Sequence, residues 1–163
     1  MIKLLVSACL IGERVRYNGV VKSLESSILA HWQLQGRVVP FCPEVAAGLP
    51  VPRPSAEITG GDGGAVLRGY ARVRNVNSQD VTKYFLDGAQ KALELARSLG
   101  IKLAVLKEGS PSCGSTYIYD GSFSGTQKQG RGVTSFLLEE KGIRVFSERE
   151  ITEAAAYLKI LET

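Results

Sequence analysis

The chain has 163 residues, of which 44% are hydrophobic and 22% charged, and its net charge is +4. This length predicts one domain, residues 1–163, with a core of its own, and a modest charge spread along the chain does not indicate a nucleic-acid-binding protein. The sequence contains no apolar run long enough to span a membrane, and Met1 leads directly into a strand-like segment without a signal peptide. We therefore expect a cytoplasmic protein that acts neither at a membrane nor on nucleic acid.

The first part of the chain predicts a β-α-β unit. Residues 2–8 are apolar or small, which is typical of a buried parallel strand. Ser23 is the candidate N-cap of a helix that ends at Gly36. Residues 37–41 then form the second strand. These three segments are expected to place the two strands side by side in one sheet.

The middle of the chain has weaker signals. Residues 43–58 contain four prolines, which disfavour regular structure and stiffen the backbone. Residues 60–64 are rich in glycine and read as a loop tip. Residues 65–67 and 71–73 are expected to pair as a small hairpin.

The second half of the chain predicts more alternation of strands and helices. A helix capped by Asp80 or Thr82 precedes strand 101–107, and residues 122–132 read as an exposed loop because they are rich in Gly, Ser and Gln. The apolar face of the helix consists of Phe85, Ala89, Ala92, Ala96 and Leu99. The remaining elements are a helix over 133–141, a strand over 143–146 and a helix over 148–161. The whole pattern predicts an α/β fold, a three-layer sandwich with a mostly parallel, Rossmann-like sheet.

Each of the three cysteines follows a predicted strand: Cys9, Cys42 and Cys113. The carboxyl ends of parallel strands meet at one edge of a sheet, where ligands bind in open α/β proteins. Disulfides are disfavoured in the cytoplasm, and three cysteines cannot all pair within one chain. The spacing therefore predicts one shared site of free thiols or metal ligands.

Several kinds of site are compatible with three thiols to different degrees. A structural zinc site needs a fourth ligand and usually a C-x₂₋₄-C pair, which is missing, and His31 lies in an apolar helical stripe where a packing role is more typical. Three thiolates on an iron–sulfur cluster would leave one iron with an open position, as a Lewis acid requires. The alternative is a protein with a zinc or metal-free three-cysteine site that binds a small molecule or nucleotide. No G-x-S-x-G or G-x-G-x-x-G motif supports a serine hydrolase or a dinucleotide enzyme.

Polar residues close to the cysteines are candidates for chemistry. Glu44 is an acid–base candidate, and a salt bridge to Arg53 is an equally good interpretation. Ser110 and Ser112 flank a proline just before the third cysteine and could donate hydrogen bonds to a substrate, although turn formation explains them as well. Arg53 lies between two prolines, and we expect it to bind an anion or a carbonyl group of the substrate.

Three segments around the cysteines resemble the DUF523 family, whose characterised members are thiouracil desulfurases. They are Ser7-Ala8-Cys9-Leu10-Ile11-Gly12, the run from Pro40 to Arg53, and Lys107-Glu108-Gly109-Ser110-Pro111-Ser112-Cys113-Gly114. Asp80-Val81-Thr82 and Tyr119-Asp120-Gly121-Ser122-Phe123 also match its pattern. The resemblance extends over nearly the whole chain.

This resemblance implies an enzyme that converts a thiolated pyrimidine base, such as 2-thiouracil, to the plain base. It implies a [4Fe-4S] cluster whose open iron takes the sulfur of the substrate, while water replaces that sulfur at carbon. The implied cluster ligands are Cys9, Cys42 and Cys113. Glu44 would handle protons, with Ser110 as its first candidate partner and Ser112 as its second. Gly109 departs from the family pattern, in which a bulkier residue is common, and this affects the expected shape of the pocket.

Overall fold

A parallel sheet forms the centre of the computed structural model, which describes residues 1–20 and 24–163. In this part of the chain the strands are β1 (Leu4–Ser7), β2 (Val38–Phe41), β3 (Ala56–Thr59), β4 (Arg72–Asn75), β5 (Leu103–Leu106), β6 (Tyr117–Tyr119), β7 (Gln127–Gln129) and β8 (Arg144–Ser147). The α-helices are α1 (Ser27–Leu34), α2 (Pro43–Ala46), α3 (Gly63–Leu67), α4 (Thr82–Ser98), α5 (Val133–Glu140) and α6 (Ile151–Glu162). Short 3-10 helices cover Ala8–Ile11 and Glu148–Glu150.

The central sheet has the strand order β2-β1-β5-β8, and its neighbouring strands are parallel. The chain moves outward from β1 to β2 on one side, and then returns to place β5 and β8 on the other side. The order therefore reverses between β1 and β5. In open α/β sheets, the crevice at such a switch point is the usual place for a ligand.

Two apolar cores cover the two faces of this sheet. Successive side chains of a strand point to opposite faces, so Leu5 packs with residues of α4 and α5, while Leu4 and Val6 pack with residues of α1 and α6. β1 and β5 are buried along their whole length, as strands covered on both faces must be. The predicted three-layer α/β sandwich with a parallel sheet is confirmed.

The predicted hairpin of residues 65–67 and 71–73 is wrong. Residues Gly63–Leu67 form α3, because the side chain of Asp62 caps this segment and accepts a hydrogen bond from the Ala65 N–H at 3.0 Å. β4 pairs instead with β3, in antiparallel orientation, which aligns Val73 with Ile58 in the core. The prolines before β3 therefore do not prevent a strand, since they end at Pro54.

Three smaller expectations about local structure are not confirmed. Leu99 was expected on the buried face of α4 but is 42% exposed, because it follows the last helical residue. Within the predicted loop 122–132, β7 pairs with β6. The proposed cap Ser23 lies outside the described residues, and the hydroxyl of Ser26 caps α1 by accepting the Leu29 N–H.

Among the described residues, no helix combines the length and the apolar character needed to cross a lipid bilayer.

Candidate active site

The three cysteines line one cavity of about 870 Å³ at the carboxyl edge of the central sheet. Cys9 follows β1, Cys42 follows β2, and Cys113 lies in the segment that follows β5. These are the strands on both sides of the switch point. The structure thus brings together residues that are far apart in the sequence.

Short local structures hold Cys9 and Cys42 at the edge of the sheet. Cys9 lies in the 3-10 helix after β1, which Gly12 ends with a φ of 91°, a conformation that favours glycine. Cys42 is the N-cap residue of α2, and Pro43 occupies the first helical position with a backbone angle suited to it. The chain therefore turns sharply right after each strand, which keeps both thiols close to the strand ends.

Cys113 is held by hydrogen bonds on both sides of its peptide unit. Its N–H donates to Ser110 Oγ at 2.7 Å, and its carbonyl oxygen accepts from the Ser135 hydroxyl at 2.7 Å. Ser135 belongs to α5, a helix that packs on one face of the sheet, and it fixes the backbone of Cys113. The backbone position of Cys113 is consequently fixed by hydrogen bonds, although the residue lies in a turn.

At neutral pH, raised pKa values keep the three cysteine thiols protonated when no metal is bound. Burial, and then the nearby Cys42, raise the pKa of the Cys9 thiol to about 11, although Lys107 and Arg16 act in the opposite direction. Burial is also the first cause of the raised pKa values of the Cys42 and Cys113 thiols. A coordinating metal deprotonates such a thiol outright, so these groups are suited to a metal and not to serve as free thiolates.

The donor set fits a cluster with three protein ligands. None of the three cysteines forms a disulfide, and thiolates are the ligands that iron–sulfur clusters use. In residues 1–20 and 24–163, no group of three or more His, Cys, Asp or Glu side chains converges on a position for a single metal ion. A cluster places a different demand on the protein, because each cysteine binds a separate iron atom.

Glu44 and Arg53 form a largely buried ion pair at the cavity wall. Glu44 Oε2 accepts hydrogen bonds from Arg53 Nη2 at 2.6 Å and Nε at 3.1 Å, and the two side chains are 14% and 6% exposed. Arg53 also donates to the carbonyl oxygens of Val15 and Pro50. The salt bridge that the sequence left as one of two interpretations is thus present. Within the described residues these bonds use Oε2, and Oε1 accepts no hydrogen bond.

The two candidate serines occupy different environments. Ser110 lines the cavity, and because its oxygen accepts the Cys113 N–H, its own proton can be donated elsewhere. Ser112 is fully buried, and its oxygen lies 2.8 Å from Thr134 Oγ1. A hydrogen bond from Ser112 also acts to lower the pKa of the Cys113 thiol, against the effects of burial and of Glu44. The geometry therefore favours Ser110 as the group that meets a substrate.

His31 is exposed on α1 and does not line the cavity. This position agrees with a surface histidine and not with the packing role that the apolar stripe favoured.

Comparison with known proteins identifies the family. The model of the 2-thiouracil desulfurase family matches residues 4–150. This chain belongs to the 2-thiouracil desulfurase family. The match includes all three cysteines together with Glu44, Arg53 and Ser110, and it confirms the resemblance that the sequence motifs indicated.

Two further proteins are similar to this member of the 2-thiouracil desulfurase family. The solved structure of TudS, a [4Fe-4S]-dependent thiouracil desulfidase, superimposes with a TM-score of 0.89 and 46% sequence identity, and the match covers 98% of this chain and 99% of TudS. An uncharacterized protein of Bacillus subtilis strain 168, YbbK, is 42% identical over 150 residues, which are 92% of this chain and 98% of YbbK. The similarity therefore extends over nearly the full length of each protein.

Sequence reasoning assigned no role to several residues that line the site of this desulfurase family member. Lys107 lines the cavity, and its Nζ lies 2.9 Å from Glu148 Oε2. Glu108, the next residue, is a buried carboxylate. Glu108 comes two residues after β5, as Glu44 comes three residues after β2, but no pattern in the sequence indicates that its carboxylate is buried. Further lining residues come from other segments: Glu57, Asn75, Lys83, Tyr84, Tyr119 and Phe123.

Proposed function

We propose that this member of the 2-thiouracil desulfurase family removes sulfur from a thiolated pyrimidine base, such as 2-thiouracil, and releases the plain base. The observation that carries this proposal is the lining of one cavity by three unpaired cysteines together with Glu44 and Ser110. The 46% identity to a [4Fe-4S]-dependent thiouracil desulfidase supports it.

In this proposal the three cysteine sulfurs hold a [4Fe-4S] cluster. When bound through three protein ligands, such a cluster supplies a Lewis-acidic iron with an open position for the sulfur of the substrate. Arg16 and Lys107 favour the ionised form of Cys9 through their charge, and this lowers the cost of thiolate formation in a buried site. The protein contributes a cavity wall that orients the base and limits access of water.

Glu44 and Ser110 are the proposed proton-handling groups. Exchange of sulfur for oxygen consumes one water molecule, which gives its oxygen to the carbon atom, and its two protons leave with the sulfur as hydrogen sulfide. The exchange involves no net oxidation or reduction. Glu44 Oε1 accepts a proton from the water while Arg53 holds Oε2 in place. Ser110 passes a proton to the base or to the departing sulfur and receives one of the two water protons in return, so that both protons end on hydrogen sulfide and neither residue is changed.

A direct contact between Arg53 and the substrate stays a prediction. The guanidinium lines the cavity, but its hydrogen bonds to Glu44 and to two carbonyl oxygens support a role in holding the carboxylate. We also infer a cytoplasmic location from the three unpaired cysteines, because thiols stay reduced in that compartment.

The proposal is tested with protein that is purified and reconstituted without oxygen. We expect about four iron and four sulfide per chain and conversion of 2-thiouracil to uracil with release of sulfide. Alanine at Cys9, Cys42 or Cys113 should abolish both cluster binding and turnover. Stoichiometric zinc without iron would instead support the alternative, a zinc protein that binds a small molecule.

The proton-handling roles need variants that keep the cluster. Glu44→Gln should retain iron, and both Glu44→Gln and Ser110→Ala should lower kcat per bound cluster by roughly 10²-fold, the usual size of a lost acid–base contribution. Iron content is measured for each preparation, because Ser110→Ala also removes the bond to the Cys113 N–H. Glu94→Gln and Ser98→Ala change the same residue types on the exposed side of α4 and serve as matched controls. Wild-type kcat in loaded Glu44→Gln protein would remove Glu44 from the mechanism.

A further inference from the structure

Glu108 is a buried carboxylate that the proposed chemistry does not use. It comes two residues after the end of β5 and is 5% exposed. Its Oε1 accepts the backbone N–H groups of Ser115 at 2.7 Å, Thr116 at 2.9 Å, Tyr117 at 3.3 Å and Gly109 at 3.4 Å. Its Oε2 accepts the Ser115 hydroxyl at 3.2 Å. Burial of a carboxylate is costly unless hydrogen bonds of this kind compensate it.

The bonded amides lie on both sides of Cys113. Gly109 precedes this cysteine, and residues 115–117 follow it, so the carboxylate ties together the two ends of the segment that carries Cys113 and Ser110. Inside the segment, the Gly114 N–H donates to the Ser110 carbonyl oxygen at 3.0 Å. Segment 109–117 therefore folds around the Glu108 side chain, and Cys113 lies in the turn of this segment.

The carboxylate is itself fixed in place and ionised. Burial acts to raise the pKa of Glu108, but hydrogen bonds from the N–H groups of Thr116, Ser115 and Tyr117 outweigh it, and the pKa lies below its usual range. The backbone N–H of Glu108 donates to Glu148 Oε1 at 2.9 Å, and Glu148 pairs with Lys107. The anchor of the segment is thus connected to the 3-10 helix that follows β8.

We propose that Glu108 is a positioning residue whose ionised carboxylate folds segment 109–117 and so places Cys113 and Ser110 at the cavity. The inference rests on the proposed function, because it takes Cys113 as a cluster ligand. A glutamine has the same shape, but it replaces one acceptor oxygen by a donor group and removes the charge that strengthens these bonds. Shape alone is therefore insufficient at this position.

The three cysteines of one chain allow an internally controlled test on the apoprotein. Iodoacetamide labelling, followed by peptide mass spectrometry, gives a separate rate for each thiol. In Glu108→Gln we expect Cys113 to react at least about tenfold faster, since each hydrogen bond to a charged group contributes substantially to closing the segment. The rates at Cys9 and Cys42 should stay within about twofold. Hydrogen exchange should show lost protection at the amides of residues 115–117.

Glu139→Gln is the matched control. Glu139 Oε2 accepts the backbone N–H of Val145 at 3.1 Å, so this change also removes a carboxylate from a main-chain bond, but away from the cavity. It should leave the Cys113 rate unchanged. Unchanged labelling and unchanged amide protection in Glu108→Gln would overturn the proposal.

A milder variant is needed if Glu108→Gln unfolds the whole protein. Ser115→Ala removes one hydroxyl bond to Oε2 and leaves the backbone bonds intact. We expect a rise of about two- to fivefold at Cys113 alone, as the loss of a single bond of modest strength predicts. Equal rises at all three cysteines in both variants would show general unfolding and would also overturn the proposal.

The reconstituted protein separates this inference from the proposed function. If Cys113→Ala keeps its full iron content, the ligand assignment fails, and the labelling result still decides the role of Glu108 in folding the segment. If Cys113→Ala loses iron, loaded Glu108→Gln should show absorption and EPR spectra that differ from those of wild type, because one ligand is held differently. Glu139→Gln should reproduce the wild-type spectra. Identical spectra in Glu108→Gln would contradict a positioning role.

Discussion

The guanidinium group of Arg53 donates hydrogen bonds to Glu44 and to two backbone carbonyl oxygens. Two donor nitrogens contact one carboxylate oxygen, and a fork of this kind fixes direction as well as distance. A lysine could supply the charge but not the fork. At the scale of single residues, the site therefore depends on charges that hold one another in place.

Loss of Arg53 should destabilise the apoprotein. Because both side chains are largely buried, Arg53→Ala leaves the Glu44 carboxylate without its partner, and we expect a loss of about 3 kcal/mol in the free energy of unfolding. Urea denaturation measures this change.

A double-mutant cycle with Glu44→Gln assigns the loss to the pair. The coupling energy between the two changes should exceed about 1 kcal/mol, because the residues are in direct contact. Arg53→Lys should recover only part of the stability. Arg53→Ala with the same effect in both backgrounds would show that its packing, and not the ion pair, is responsible.

At the scale of elements, the short helix α2 depends on the long helix α4. α2 begins directly after Cys42 and carries Glu44, but four residues cannot form a stable helix alone. Gly88 of α4 lets the two helices approach, because a Cβ atom at this position would lie 2.4 Å from the Pro43 carbonyl oxygen. The position of the Glu44 carboxylate thus depends on a glycine in a different helix.

Gly88→Ala should displace α2. Alanine favours the helix by up to about 1 kcal/mol, but overpacking against a backbone carbonyl outweighs this gain, and we expect a net loss of about 1–3 kcal/mol together with reduced turnover. Urea midpoints and activity are measured on the same preparation. In the control Gly130→Ala, the nearest atom to the new Cβ would be 3.4 Å away, an ordinary contact. Equal stability of the two variants would contradict tight packing at Gly88.

The elements that the sequence predicted well are those with strong local signals. β1 and β5 are continuous apolar runs, and the buried residues of α4 repeat with a helical period, so their positions follow from local chemistry. α3 and the β3–β4 pair were missed because a capping aspartate and a non-local pairing decide them. The cysteines stood out through their places after strands. Glu108 did not, since a buried charge has no periodic pattern and its partners are backbone groups.

At the scale of the whole molecule, buried and paired carboxylates predict sensitivity to acid. Hydrogen bonds from backbone N–H groups lower the pKa of Glu108 in spite of burial, and hydrogen bonds from Arg72 and Thr82 lower that of Asp80. A group whose folded pKa is depressed stabilises the protein fully above its unfolded pKa, about 4 for these side chains. This contribution is lost as the pH falls through that value toward the folded pKa.

The free energy of unfolding of the apoprotein should therefore decrease as the pH falls from about 5 toward 3. Glu108→Gln lacks one of the titrating groups, so its curve should be flatter in this window, and its difference from wild type should be largest at neutral pH. Urea titrations at fixed pH values give both curves. Parallel curves for wild type and Glu108→Gln would mean that Glu108 titrates alike in the folded and unfolded chain.

The strand order of the sheet also governs when the site can form during synthesis. β1 and β2 are synthesised first and bring two cysteines together. β5, which pairs with the other edge of β1, and Cys113 follow only after three further helices, α2, α3 and α4. Until β5 has been synthesised, the backbone groups on one edge of β1 are unpaired. The thiols of Cys9 and Cys42 are then present without that of Cys113. On the proposed ligand assignment, the cluster can therefore bind only after Cys113 has been synthesised, and the thiols of the nascent chain need reducing conditions until then.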